Sequence, residues 1–170
     1  MIEEPTNRNQ FSEEPRRTLQ EVEGETFFDG VSLEKIANEV GTPTYIYSAK
    51  SFNKQFQELE NAFKRVDSKI FYSVKANSNV NIISLFNQLD SGFDIVSGGE
   101  LHRVTAAGAA PQAIIFSGVG KSVSEIDLAL KVGIDCFNIE SAPELDRIIE
   151  RSRILGKKPD ISVRINPDID

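Results

Sequence analysis

One cysteine and one histidine in 170 residues remove several chemistries at once. A lone thiol, Cys136, closes no internal disulfide, and such usage fits a reducing cytoplasm. Its place in an apolar, strand-like run marks it as a small core residue. His102 cannot build a metal site with one cysteine, and no nucleophilic triad can be assembled around it. It lies beside Arg103 on a short helix and reads as solvent-facing. Positive charge is also scarce, with 19 Lys and Arg against 26 Asp and Glu, a net charge of -7. With no basic patch, nucleic acid and anionic membranes are excluded as partners. No apolar run is long enough to span a bilayer. Met1-Ile2-Glu3-Glu4-Pro5 lacks the basic start and apolar core of a secretory signal. What remains is globular: 39% hydrophobic and 26% charged residues, enough for a core, at a length that suits one domain.

Residues 1–26 are polar and rich in glutamate, which predicts a mobile acidic tail. Order is expected to begin at Phe27-Phe28. The segment 27–50 then holds a short helix over Ser32 to Val40, stopped by Gly41, and a strand at Tyr45-Ile46-Tyr47. Phe52, Phe56, Leu59 and Phe63 recur at helical spacing and predict an amphipathic helix to about Arg65. From residue 51 to 170 strands and helices alternate. The strands expected are Ile70–Val74, Phe93–Val96, Ala113–Phe116, Asp135–Ile139 and Ile161–Ile165. Ser122-Val123-Ser124-Glu125 and Ser141-Ala142-Pro143-Glu144 both have capping-box spacing, and Gly108, Gly133 and Gly156 fall where helix ends belong. Alternation of this kind means parallel strands and an α/β architecture, closed either as a (β/α)8 barrel or as a doubly wound sheet. In both, ligands bind at the carboxyl ends of the strands.

Candidate residues cluster at those ends. Phe71, Ser73 and Lys75 share one strand face, so Lys75 stands in line with an apolar row as the strand opens into Asn77-Ser78-Asn79. A lysine there either snorkels to water, or is neutralised by burial, or is consumed in a Schiff base with an aldehyde. Asp94 is an acid inside a strand, a place that disfavours aspartate. Lys75, Asp94 and Glu100 can answer one another on adjacent strands, although Glu100 also suits the first turn of a helix. Arg164, inside another apolar strand, can bind a phosphate or carboxylate, or pair with Asp94 or Glu100. Gly118-Val119-Gly120-Lys121-Ser122 resembles a phosphate loop, but the glycine that motif needs is replaced by Ile115, inside a strand. Lys121 is therefore expected on the rim.

Five segments in register carry a family resemblance from about residue 27 onward. They are Tyr72-Ser73-Val74-Lys75-Ala76-Asn77, the run from Gly92 to Leu101, Phe116-Ser117-Gly118-Val119-Gly120-Lys121, Asn138-Ile139-Glu140-Ser141 and Val163-Arg164-Ile165-Asn166-Pro167. Together they resemble the diaminopimelate decarboxylases, pyridoxal-phosphate enzymes of fold type III with an alanine-racemase-like barrel. The resemblance implies a partial (β/α)8 barrel, preceded by a strand/helix segment that in the family belongs to a second β-domain. It implies that Lys75 carries pyridoxal 5'-phosphate as a Schiff base, and that Asp94, Glu100 and Arg164 lie among the charged residues around the cofactor. Ser73 stands where the family usually has an alanine beside the ring. The implied reaction is loss of carbon dioxide from meso-diaminopimelate to give L-lysine, by a cytoplasmic homodimer. The family's chain is more than twice as long. Its ring-stacking histidine, glycine-rich phosphate loop, the acid at the pyridine nitrogen and the partner-subunit residues have no counterpart here. The 170 residues are thus expected to be part of a longer product, inactive and poorly soluble alone. Ornithine or arginine decarboxylases, amino-acid racemases and a non-catalytic remnant are the alternatives. A racemase is disfavoured because Lys75-Ala76-Asn77 runs on to Ser78-Asn79 rather than to Tyr-Gly-His-Gly.

Overall fold

The computed structural model describes residues 19–167, which divide between two compact units, Met1–Glu58 and Leu59–Asp170. Most of the expected tail, residues 1–18, and Asp168 in the last loop lie outside the described residues.

In the first unit the first described strand starts at Leu19, eight residues before Phe27. Strands β1 (Leu19–Val22), β2 (Glu25–Phe28) and β3 (Val31–Ser32) form an antiparallel sheet in that order. The two connections are Glu23-Gly24 and Asp29-Gly30, each with both residues at positive φ, as a tight two-residue hairpin requires. Ser32 ends β3 and caps helix α1 (Leu33–Val40), its side chain accepting from the Lys35 N–H. Tyr45-Ile46-Tyr47 is not a strand. Those residues prefer a pleated, half-buried surface, but no described strand pairs with them and Tyr45 is 90% exposed. Helix α2 (Ala49–Phe63) follows with the expected apolar spacing; the unit boundary falls within it.

The second unit is a five-stranded parallel sheet in strict sequence order: β4 (Phe71–Ser73), β5 (Gly92–Ile95), β6 (Ile114–Phe116), β7 (Cys136–Ile139) and β8 (Asp160–Val163). Helices α3 (Val80–Gln88), α4 (Gly98–Ala106), α5 (Val123–Val132) and α6 (Ala142–Leu155) join successive strands and pack side by side. Sequential order with neighbouring helices on one face is how a barrel begins. A doubly wound sheet reverses its order and covers both faces.

The two faces of this sheet differ. Phe93, Ile95, Ile114, Phe116, Phe137 and Ile139 point to the helices, together with Ile83, Leu101, Val104, Ile126 and Ile148 from the helices themselves, and all are buried. The alternate residues, Ser73, Asp94, Ile115, Cys136 and Asn138, are half-buried on the other face. Cys136 therefore sits beside the core. Burial, then the charges of Asp135 and Asp160, push its thiol up and keep it protonated. Gly92 is required where it stands, because any Cβ there would run into the Phe71 ring.

Helices α5 and α6 are clamped by a bidentate pair. Arg151 Nε and Nη2 donate to the two Asp127 oxygens, each at 2.7 Å. The Arg151 bond holds the Asp127 carboxyl below its ordinary 3.8. Glu125 is likewise held below 4.5, by the Gly98 N–H first and then by Ser122. A depressed carboxyl pKa means that the unfolded chain binds more protons in that range. The stability these acids contribute is complete above their ordinary values and drains away as pH falls through the lower, folded ones. Urea midpoints are therefore expected to fall as pH drops below about 4.5, and Asp127→Asn is expected to flatten that slope.

Candidate functional site at the carboxyl ends of the strands

Lys75 follows β4 in a single tight turn, Val74–Ala76, rather than extending the strand. The turn is held from several sides. Val74 is fully buried. Tyr72 stacks on Phe86 of α3 with ring centres 4.1 Å apart, and its hydroxyl donates to the Asn77 carbonyl at 3.0 Å. Asn77 Oδ1 accepts from the Asn79 N–H, Asn79 Oδ1 from the Asn81 N–H, and Arg103 Nη1 donates to the Ser78 carbonyl. Lys75 itself is exposed, and its amine makes no hydrogen bond or ion pair among the described residues. The expected alignment with a buried row therefore stops at Ser73. A free primary amine is presented by a pinned backbone, which suits covalent capture of a carbonyl, since an amine tied up in an ion pair is a poor nucleophile.

The other four expected residues separate into two groups. Ser73 and Asp94 are register partners on β4 and β5 and so sit side by side next to the Lys75 turn. Ser73 Oγ is buried without a hydrogen-bond partner among the described residues, two residues before Lys75. Asp94 bonds to the Ser117 hydroxyl. Glu100 and Arg164 turn elsewhere. Glu100 Oε2 accepts from the Val96 N–H at 2.7 Å while Ser97 caps the helix, so it serves the start of α4. Arg164 pairs with neither Asp94 nor Glu100; its Nη1 meets Glu140 Oε2 at 3.1 Å, and 60% of its side chain is exposed. His102 is exposed, as its helical setting implied.

Lys121 is the clearest departure. Expected on the rim, its side chain is fully buried, as is that of Glu144, and the two meet at 2.6 Å. All three ammonium hydrogens are used, on Glu144 Oε1, the Gly118 carbonyl and the Asn138 carbonyl. Glu144 completes its own set by accepting from the Glu140 N–H at 2.8 Å. Ser141 accordingly makes no side-chain cap, so the second capping-box spacing is not used as one. Ser122 and Glu125 do form theirs.

Ser117, Asn138 and Glu140 enter from the sequence only within the segments that carry the resemblance, and Glu144 only as a helix cap; none is expected from it as a site residue. Asn138 was visible in principle: an amide inside an apolar strand is as disfavoured as Asp94, and the same argument applies to it. Lys75, Asp94, Ser117, Asn138, Glu140 and Arg164 thus lie along the carboxyl ends of β4 to β8, with Lys75 and Arg164 at the two edge strands of the sheet. This set joins a nucleophilic amine with acceptors and one cation, and it fits an aldehyde-bearing cofactor. A shallow depression of about 500 Å³, lined by Glu25, Ser32, Glu34, Lys35, Asn38 and Glu39, lies in the first unit and gathers no comparable chemistry. No helix among the described residues is long and apolar enough to cross a membrane.

Comparison with known proteins places this geometry. The diaminopimelate decarboxylase of Neisseria meningitidis serogroup A is 49% identical over 144 residues, covering 85% of this chain and 36% of that protein. That of Pseudomonas aeruginosa is 44% identical over 148 residues, covering 87% and 36%. Among solved structures, a diaminopimelate decarboxylase from M. jannaschii in complex with L-lysine superposes with a TM-score of 0.85 at 33% identity, covering 91% of this chain and 37% of that one. The chain therefore spans just over a third of the length of the relatives it matches. Residues 49–170 match the family described as pyridoxal-dependent decarboxylase, pyridoxal binding domain. With the sequential parallel sheet and the free lysine at the end of its first strand, the chain belongs to the pyridoxal-dependent decarboxylases.

Proposed function

We propose that this chain forms the first five strands of the catalytic barrel of a decarboxylase that converts meso-diaminopimelate to L-lysine and carbon dioxide. The observation that carries the reading is the unpartnered Lys75 amine, held out by a pinned turn beside Asp94. The substrate is inferred from relatives at 41–49% identity that are named diaminopimelate decarboxylases. Pyridoxal phosphate, when bound, supplies an electron sink for the carbon that loses carbon dioxide.

The chain's own residues supply the rest. Lys75 Nζ would hold the cofactor by its aldehyde, and the same side chain would be placed to move a proton at the reacting centre. Ser73 Oγ, which makes no hydrogen bond among the described residues, would lie beside the ring. Asp94 presents a carboxylate on the neighbouring strand. Arg164 keeps guanidinium N–H groups in reserve beyond the one that meets Glu140, and these suit an anionic group. Glu100 acts through the backbone, fixing the strand end that follows Asp94. The working form is read as a homodimer from the family resemblance, and as cytoplasmic because a lone free cysteine suits a reducing compartment.

The test uses the intact gene product. Loaded with pyridoxal phosphate and reduced with borohydride, it is expected to carry one pyridoxyl group, mapped by peptide mass to Lys75. It is expected to release carbon dioxide from meso-diaminopimelate and not from ornithine or arginine. A label on another lysine, or none, overturns the reading.

A further inference from the structure

On the sheet face turned away from the helices, side chains from three neighbouring strands or their ends form one hydrogen-bonded chain. Asn138 Nδ2 donates to Ser117 Oγ at 2.8 Å, and the Ser117 hydroxyl donates to Asp94 Oδ1. The direction is fixed by chemistry. An amide NH2 only donates, an ionised carboxylate only accepts, and a hydroxyl does one of each. The single hydrogen of Ser117 is therefore committed to Asp94. Asp94 is held by one oxygen, and Oδ2 makes no bond among the described residues. It stands level with Ser73, two residues before Lys75.

We propose that Ser117 and Asn138 are positioning residues for Asp94, locking its side chain so that Oδ2 is offered to the group that Lys75 holds. This rests on Lys75 as the cofactor lysine. An aspartate in a strand has several staggered rotamers open to it. One charge-assisted bond from a neighbouring strand selects among them, and the amide behind it keeps the hydroxyl from turning away. Residues that only stitched strands together would affect stability and nothing else. Residues acting through Asp94 must affect the cofactor, and must lose that effect once Asp94 is altered.

The experiment measures pyridoxal-phosphate affinity and the rate of borohydride labelling at Lys75 in the intact gene product, with urea unfolding in parallel. Ser117→Ala is expected to weaken affinity about tenfold, the scale of one hydrogen bond to a charged group. Ser117→Thr, which keeps the hydroxyl, is expected to restore it to within about twofold. Asn138→Ala, one bond further back, is expected to act in the same direction and less. In an Asp94→Asn background, Ser117→Ala is expected to add nothing. Unchanged affinity in Ser117→Ala, or effects of Ser117→Ala and Asp94→Asn that multiply, overturn this inference while leaving Lys75 in place. Failure of the unsubstituted protein to take the label at Lys75 overturns the proposed function and this inference with it.

Discussion

Lys121→Met is expected to cost the fold about 3–5 kcal/mol, the range for breaking a buried ion pair from one side. Lys121 and Glu144 have side chains that are 0% and 1% exposed, so neither charge can turn to water when the other is removed. The methionine stem replaces the lysine's bulk, so little of the loss comes from packing. What remains is a carboxylate sealed in the interior, still held by the Glu140 N–H but without its counter-charge. Two backbone carbonyls, of Gly118 and Asn138, also lose their donor. Removing both charges, as Lys121→Met with Glu144→Leu, is expected to recover most of the loss, because a well-packed apolar pair is often as good as a buried salt bridge. Urea denaturation of the single and double variants checks this. A single-variant cost below about 1 kcal/mol would place the pair in the energetic class of exposed ion pairs.

Lys75→Ala is expected to abolish borohydride labelling and to lower decarboxylation at least about a hundredfold, the lower bound for losing a positioned acid–base group alone. Lys75→Arg is expected to fail equally. It keeps the charge but has no primary amine, so the pair of variants separates nucleophilicity from electrostatics. Neither change is expected to shift unfolding by more than about 0.5 kcal/mol, because Lys75 is exposed and makes no bond among the described residues. Carbon dioxide release, peptide mapping and a urea curve together decide the matter. A large stability loss would show that the turn, rather than the amine, depends on this residue.

The parallel part of the fold was legible almost residue by residue. The first barrel strand was expected at Ile70–Val74 and lies at Phe71–Ser73; the fourth was expected at Asp135–Ile139 and lies at Cys136–Ile139. Short apolar runs bounded by glycine and serine leave little freedom when each must be buried on one face. The amino-terminal hairpins were missed because composition was weighed above turn chemistry. Glu23-Gly24 sits in an acidic stretch, yet Asp29-Gly30 is the kind of dipeptide that closes a two-residue loop. Tyr45-Ile46-Tyr47 failed in the opposite sense, because strand preference cannot supply a partner strand.

Within the site, Ser73 and Asp94 could be placed from spacing alone, since register follows from the strand pattern; Lys75, expected on the same face, instead leaves the strand in a tight turn and is exposed. Glu100 and Arg164 could not, because their partners, the Val96 N–H and Glu140, are set by loop geometry. Burial of Lys121 was out of reach for the same reason. It depends on a glutamate 23 residues later turning inward from α6.

That arrangement of glutamates bears on where a phosphate can rest. The starts of helices are natural seats for anions. Here the protein's own carboxylates already take amides at the starts of α4 and α5 and in the loops that lead into α4, α5 and α6. Glu100 takes the Val96 amide, Glu125 those of Gly98 and Ser122, Glu140 that of Gly118, and Glu144 that of Glu140. A dianion approaching this rim would meet filled amides and repelling charge, which argues against a phosphate cradle at the glycines around residue 118. The phosphate of any bound pyridoxal phosphate is therefore expected to seat away from these filled amides.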